Sequence, residues 1–338
     1  MGSLALIALA AVQISVQARA VEPGELAVLT IALPEHRDAV RVRAFDRDAA
    51  AFAVDDRRWR ALVGIDLDVK PGAYLVTVEA GAGLMATTDL MVARHRFPTR
   101  RLTVDEGFVN PPPTLTDRIT QEAALLGTTW QQVTPERLWS APFVRPVPQP
   151  ANSQFGTRSV FNGRPRGAHG GADFPSPAGT PIHAPNAGRI VIARDLYFTG
   201  NTVVIDHGLG IFSMLAHLSA MDVREGDRVE ADAAIGRVGA TGRVTGPHLH
   251  WAVRVNGARV DPLSVLALLG NEPSGLVRES RRQIAYPSAT IIVRASTMMA
   301  GITSSTFGDS NSVLDAATSD TSRFCKSRCR RWASASAS

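Results

Sequence analysis

Between residues 21 and 93 apolar and polar positions alternate in short runs divided by turn-forming residues. Val40-Arg41-Val42-Arg43-Ala44 alternates strictly, residues 61–69 are largely apolar, and Pro71-Gly72 turns into Tyr74-Leu75-Val76-Thr77-Val78. A period of two places successive side chains on opposite faces of a strand. Several such strands at close spacing predict a small Ig-like β-sandwich over residues 21–95. Residues 96–151 then read as a helix-containing linker. It carries Pro111-Pro112-Pro113 and a short helix over 117–126, with Thr116 as N-cap and Ile119, Ala123 and Leu126 on one face. The proline-spaced stretch 142–150 predicts an extended connection, so a second domain is expected to begin near Asn152.

From residue 152 to 270 the pattern is again strand-like, in apolar runs at 188–192, 201–206, 211–218, 234–238 and 248–255 separated by glycine turns. No stretch of helical period and useful length interrupts them. The fold class predicted is therefore all-β, with antiparallel hairpins in the second domain. Beyond residue 270 a brief strand-like segment at 289–293 is followed by Ser/Thr-rich and basic sequence, and 271–338 is expected to be a mostly disordered basic tail.

The length of 338 residues suits two domains with appendages. No apolar run approaches the roughly 18 to 20 residues of a bilayer-spanning helix, which excludes a polytopic membrane protein and leaves no integral membrane span expected. Residues 1–20 combine an apolar stretch at 4–12 with Ala18-Arg19-Ala20, the pattern of a signal peptide and its cleavage site. No Lys or Arg precedes the apolar stretch, and the competing reading is an apolar first strand or helix. On the first reading these residues lie outside the fold, and the protein is exported to the periplasm or cell envelope.

Charge changes the picture only once it is divided along the chain. The net charge is +5, but residues 271–338 hold nine Lys/Arg and five Asp/Glu, so the body carries only +1. A nucleic-acid partner is thus unsupported, since such a footprint needs basic residues gathered on a folded face. The two cysteines, Cys325 and Cys329, both lie in the tail and cannot staple the body with a disulfide. Two thiols four residues apart also lack the second ligand pair of a structural zinc site.

Candidate chemistry concentrates in the second domain. In Pro247-His248-Leu249-His250-Trp251 the two histidines share one strand face, while Leu249, Trp251, Val253 and Val255 supply packing on the other. His169-Gly170-Gly171-Ala172-Asp173 offers an imidazole and a carboxylate that a glycine turn can fold onto one ion, and His217 ends the apolar run 211–218. Each cluster has a bland reading as surface or core histidines. Together they place five metal-binding or proton-moving side chains within 82 positions of one β domain. Two His and one Asp suit Zn²⁺ and leave a fourth position open for water, as a catalytic site requires. The remaining two His titrate near neutrality in their ordinary state and can move protons. Spacing alone does not decide which of His248 and His250 would bind metal. His207, in Asp206-His207-Gly208, is read as a structural histidine in a turn after a strand.

These residues resemble the lysostaphin-like (LytM-type) peptidoglycan metalloendopeptidases over residues 153–262. The shared features are His-x-x-x-Asp, a later His in Ala216-His217-Leu218, and the terminal His248-Leu249-His250. Phe155-Gly156-Thr157-Arg158, Gly179-Thr180-Pro181, Ile205-Asp206-His207-Gly208 and Gly226-Asp227-Arg228-Val229 belong to the same likeness. The resemblance implies a lysostaphin-like catalytic domain built on a duplicated, lipoyl-like hairpin motif. It also implies one Zn²⁺ per chain held by His169, Asp173 and His250, with His217 and His248 as the catalytic pair, and peptidoglycan stem peptides as substrate. The family commonly has a Tyr two residues before the Ala-His-Leu histidine, where this chain has Leu215.

Two other readings compete. A non-catalytic or autoinhibited regulator of wall hydrolases, itself partnered by an unknown protein, would be expected to lack one of the five groups. A lipoyl or biotinyl carrier needs a lysine at a hairpin tip, and Lys70 and Lys326 are the only lysines, so the second domain has none.

Overall fold

A computed structural model describes residues 11–81, 83–152, 155–270 and the pair 291–292. The other residues, including Cys325, Cys329 and nearly all of the expected basic tail, lie outside the described residues.

The N-terminal sandwich opens with β1 (Gln13–Ala18), β2 (Leu26–Ala32), β3 (Arg41–Ala44), β4 (Arg47–Ala49), β5 (Ala51–Ala53), β6 (Arg58–Gly64), β7 (Gly72–Glu79) and β8 (Met85–Val92). One sheet runs β1-β2-β6-β5, with the short strand Ile291–Ile292 on its outer edge beside β1; the other runs β4-β3-β7-β8. Their facing apolar residues, among them Leu29, Ile31, Ala61, Val63, Val76 and Val78, form one core. Strand β2 is buried on both faces, because Leu26 and Val28 point away from that core into the core of the second domain. That is why Leu26–Ala32 reads as a continuous apolar run rather than an alternating one.

The expectation that residues 1–20 stand outside the fold fails for Val12 to Arg19, while residues 1–10 lie outside the described residues. Gln13–Ala18 pairs antiparallel with Ala27–Ala32 of β2, Val12 and Ile14 are buried in the sandwich core, and Arg19 is tied down by charge. The Arg19 guanidinium bridges Glu25 (2.7 Å) and Asp261 of the second domain (2.5 Å). Of the two readings open in the sequence, a first strand holds for 13–18.

The linker is also more structured than its composition suggests. Strand β9 (Thr99–Leu102) pairs in parallel with β10 (Arg158–Phe161), which pairs with β11 (Arg164–Ala168). A short helix, α1 (Glu106–Val109), and a 3-10 turn, Pro113–Leu115, lead into α2 (Thr116–Thr129). Thr116 is the first helical residue rather than the cap, because the 3-10 turn feeds directly into the helix. The packed face also differs from expectation: Ala123 is exposed, whereas Leu125, Leu126 and Trp130 cover Ile192, Val204 and Phe212 of the second domain. The proline-spaced stretch is no free connection, since Trp139, Phe143 and Val147 are buried in the second domain's core. The Phe143 N–H donates to Leu269 and the Val144 N–H to Pro185. Prolines suit such a packed edge because they bring no N–H that would need a partner.

The second domain is the expected antiparallel β body. It comprises β12 (Ala172–Phe174), β13 (Pro181–His183), β14 (Gly188–Leu196), β15 (Gly200–Gly208), β16 (Ile211–Met221), β17 (Arg228–Val229), β18 (Ala234–Val238), β19 (Leu249–Val255) and β20 (Ala258–Val260). The main order is β12-β19-β16-β15-β14-β17, with the β13–β18 pair joined through β16. A helix that the strand pattern did not predict, α3 (Pro262–Leu269), closes it. Asp261 caps this helix by accepting from the Leu263 N–H, and Pro262 fills its first turn.

The sandwich docks at the far end of β19 from His250. Gly64 of β6 comes so close to Val255, Ala258 and Val260 that a Cβ there would lie 2.8 Å from that of Ala258, and Arg259 pairs with Asp66. Five strand steps, about 17 Å, separate Val255 from His250, so this contact lies away from the histidine end of β19.

Candidate active site

Three adjacent strands bring the sequence-predicted residues together. Across β12 and β19, Asp173 stands opposite His250; across β19 and β16, His250 stands opposite Ala216. Leu249, Trp251 and Val253 are fully buried on the other face of β19, so His248 and His250 necessarily share the open face.

Regular alternation from Leu215 would turn His217 into the core beside it. Instead the β15–β16 register shifts between Asn201 and Val203, and His217 takes a left-handed backbone conformation with φ of 68°. Such a bulge re-aims a side chain. Leu215 and Leu218 remain in the core, while the His217 ring lies 4.9 Å from that of His248 and 5.9 Å from that of His250.

His169 Nε2, Asp173 Oδ1 and His250 Nδ1 form a triangle with sides of 3.0, 3.1 and 2.8 Å. Tetrahedral zinc with bonds of 2.0–2.1 Å separates its ligands by about 3.3 Å, so the donor set fits such an ion closely. The chemistry agrees, because two imidazole nitrogens and a carboxylate oxygen turned on one point are electron-rich atoms that a cation reconciles. Burial opposes ionisation of Asp173, but hydrogen bonds from His169 and His250 outweigh it and hold the carboxyl well below the usual carboxylate range. Burial also lowers the pKa of His250, against the pull of Asp173. Both shifts favour the states that bind metal, a carboxylate and a neutral imidazole.

Gly171 makes the triangle possible. A Cβ on it would lie 2.4 Å from the Trp251 carbonyl and 2.7 Å from His250 Cε1. Gly171→Ala is therefore expected to push His250 off the triangle and weaken zinc binding by about tenfold or more, in the range of lost outer-shell support, as measured by titration against a metal-binding dye.

The other two imidazoles are oriented by backbone carbonyls. His217 Nδ1 donates to Thr241 O and His248 Nδ1 to Gly246 O, each at 2.9 Å. A carbonyl accepts only, so in each neutral ring Nδ1 carries the hydrogen and Nε2 keeps its lone pair. His248 Nε2 stands 3.8 Å from Asp173 Oδ1. Burial, then the neighbouring His250 and His248, push the His217 pKa down to about 3, which keeps its ring neutral across the physiological range. Thr241 and Gly246 lie in the glycine-bounded segment 239–246 that precedes His248, and the sequence did not show that their carbonyls orient the two rings.

His207, read from the sequence as a structural histidine in a turn, lies instead within β15, where both ring nitrogens are hydrogen-bonded. Fully buried, it donates from Nδ1 to Ala187 O and accepts at Nε2 from Ser213. Burial lowers its pKa to about 4. Its folded pKa lies below the unfolded value near 6.5, so its contribution is complete above pH 6.5 and fades as the pH falls toward 4. The loss is on the order of 3 kcal/mol. His207→Gln, which keeps one donor and one acceptor, should flatten this part of the stability-versus-pH curve when urea unfolding is compared at pH 7.5 and 5.

A cluster of three convergent metal-ligating atoms flanked by two oriented imidazoles, on an antiparallel sheet, has the character of a hydrolase site of the metallopeptidase kind. Residues 167–262 match the model of peptidase family M23. The chain is 45% identical over 97 residues to the DD-carboxypeptidase/endopeptidase Mpg of Neisseria meningitidis, a match covering 29% of this chain and 22% of that one. It is 42% identical over 95 residues to the peptidoglycan DD-endopeptidase ShyA of Vibrio cholerae, covering 28% and 22%. The chain thus spans about a fifth of the length of these curated relatives. A solved M23 peptidase structure from Pseudomonas aeruginosa superposes with a TM-score of 0.60 at 35% identity, covering 73% of this chain and 95% of that one. The chain belongs to peptidase family M23. No helix among the described residues is long and apolar enough to cross a membrane.

Proposed function

We propose that this chain is a zinc metalloendopeptidase that hydrolyses peptide cross-links of bacterial peptidoglycan. His169, Asp173 and His250 would hold the ion, and His217 and His248 would handle protons. The observation that carries the reading is the 2.8–3.1 Å triangle of ligand atoms beside two imidazoles whose Nε2 lone pairs are kept free. Zinc held there would supply Lewis-acid chemistry, activating a water near neutral pH and polarising a carbonyl.

The chain's own residues do the rest. Asp173, already ionised, supplies the negative charge that holds the cation against desolvation. The Nε2 lone pairs of His217 and His248 are the acceptors for the proton of the attacking water, and the ring that takes it steadies the developing oxyanion and then delivers the same proton to the leaving amine. Backbone carbonyls at Thr241 and Gly246 keep both rings in the tautomer this requires. Substrate identity rests on relatives named as peptidoglycan DD-endopeptidases.

The test is digestion of purified cross-linked peptidoglycan, with products resolved by mass. Chelator-sensitive release of uncross-linked peptides is expected; zinc-loaded protein that releases none would refute the proposal. Export to the cell envelope is part of the same reading, and strand Gln13–Ala18 must survive any leader removal. N-terminal sequencing of envelope-extracted protein should accordingly find a start ahead of Val12.

A further inference from the structure

Arg243 sits between the two supports of the proton-handling histidines. It lies in the loop that carries Thr241, the carbonyl partner of His217, and Gly246, the carbonyl partner of His248. Its guanidinium is clamped between two rings, with Cζ 5.0 Å from the centroid of Phe161 and 4.8 Å from that of Phe198. Phe198 precedes Thr199, whose carbonyl accepts the His217 N–H, and the Arg243 N–H itself donates to Phe198 O. Phe161 ends β10, the strand paired with β11, and β11 leads into His169. Every segment around Arg243 therefore positions a residue of the site.

A second cation accompanies it. Arg166 of β11, three residues before His169, adds its positive charge to the surroundings of Arg243. Arg166 donates one hydrogen bond, to the Val109 carbonyl, and its Nε is buried with no partner among the described residues. No Asp or Glu among the described residues pairs with either guanidinium, in a chain where Arg19, Arg118, Arg194 and Arg259 each find one. Burial, and secondarily Arg166, lowers the pKa of Arg243. Two half-buried like charges held together without a counter-ion are costly, and an arriving anion relieves that cost. Stacking between two rings fixes the guanidinium plane while leaving its edge donors for a planar carboxylate.

We propose that Arg243, assisted by Arg166, is a specificity determinant that binds a carboxylate carried by the substrate beside the scissile amide. This rests on the endopeptidase reading above and narrows it to one class of cross-link. In a bond from D-alanine to diaminopimelate, the carbon bearing the leaving amine also bears a free carboxylate. A glycine bridge offers no such group. The arginine pair thus selects the diaminopimelate type.

The test compares two cross-linked muropeptide dimers that differ only in whether that carboxyl is free or amidated. Zinc-loaded wild-type protein is expected to prefer the free carboxylate by about ten- to a hundredfold in kcat/KM, the range of a charge-assisted hydrogen-bonded contact. Arg243→Gln should draw the ratio toward one, and Arg166→Gln should lower it partway. Equal cleavage of both dimers by the wild type would overturn the proposal while leaving the endopeptidase reading intact, and needs no variant to fold. A ratio unchanged in an Arg243→Gln protein that melts and binds zinc like the wild type would also overturn it, reducing Arg243 to a brace between two rings. If neither dimer is cut, the endopeptidase reading falls and this proposal with it.

Discussion

Asp173→Ala should leave a folded protein that purifies without zinc and cleaves no more cross-links than a chelated control. Asp173 Oδ1 is the atom both His169 and His250 approach, at 3.0 and 2.8 Å, and its carboxyl is held ionised despite burial. Without it two imidazoles face each other with no anion to offset the charge of the ion. The cost exceeds the ten- to hundredfold loss typical of removing an outer-shell partner. The fold should survive, because the β12–β19 pairing runs through backbone and the flanking Ala172 and Phe174 remain buried on the opposite face. Metal analysis, a melting curve and the cleavage assay on one preparation check the three parts together. A variant that keeps stoichiometric zinc would remove Asp173 from the ligand set.

The second large effect is of the opposite kind. His217→Ala and His248→Ala should each retain zinc while kcat/KM falls by about 10²- to 10⁴-fold, the usual worth of a positioned proton-transfer group. Neither ring belongs to the 2.8–3.1 Å triangle, and both are turned by backbone carbonyls rather than by the ligands. His217→Ala carries an additional stability cost. The left-handed backbone at that position persists without the Thr241 hydrogen bond that now accompanies it. His248→Ala, whose backbone is an ordinary strand entry, is therefore the cleaner test of the division of labour.

Much of this site could be read from the chain because short-range rules govern it. His248 and His250 share a face for the same reason that Leu249, Trp251 and Val253 are buried, and that alternation is visible in the residues. The His169-Gly170-Gly171-Ala172-Asp173 turn announced a close approach, although what Gly171 approaches, the Trp251 carbonyl and the His250 ring, belongs to another strand. His217 was recognisable as a histidine ending an apolar run. Its turn into the site depends on a register shift against β15, which no local pattern encodes.

Long-range pairing likewise decided what the sequence misjudged. Gln13–Ala18 looked like part of a leader because an apolar stretch precedes Ala18-Arg19-Ala20. Its place is fixed by β2, and Arg19 finds Asp261 more than two hundred residues away. The proline-spaced stretch looked extended and free, but Phe143 and Val147 fill the second domain's core. The α3 start was available locally in Asp261-Pro262, a cap followed by a proline at the first helical position, and was hidden only by the brevity of the helix. Arg166 and Arg243 carry no motif at all. Their meaning lies in being brought together without an acid.

On the proposed function, cross-link hydrolysis by this chain depends on one zinc held by His169, Asp173 and His250. The most direct measurement follows bound zinc per chain and the rate of cross-link cleavage in the same sample as the metal is withdrawn by a chelator and then restored. The two are expected to fall and recover in proportion, with full activity at one zinc per chain. Cleavage that persists after the zinc is gone, or a fully zinc-loaded chain that cleaves nothing, would contradict that dependence.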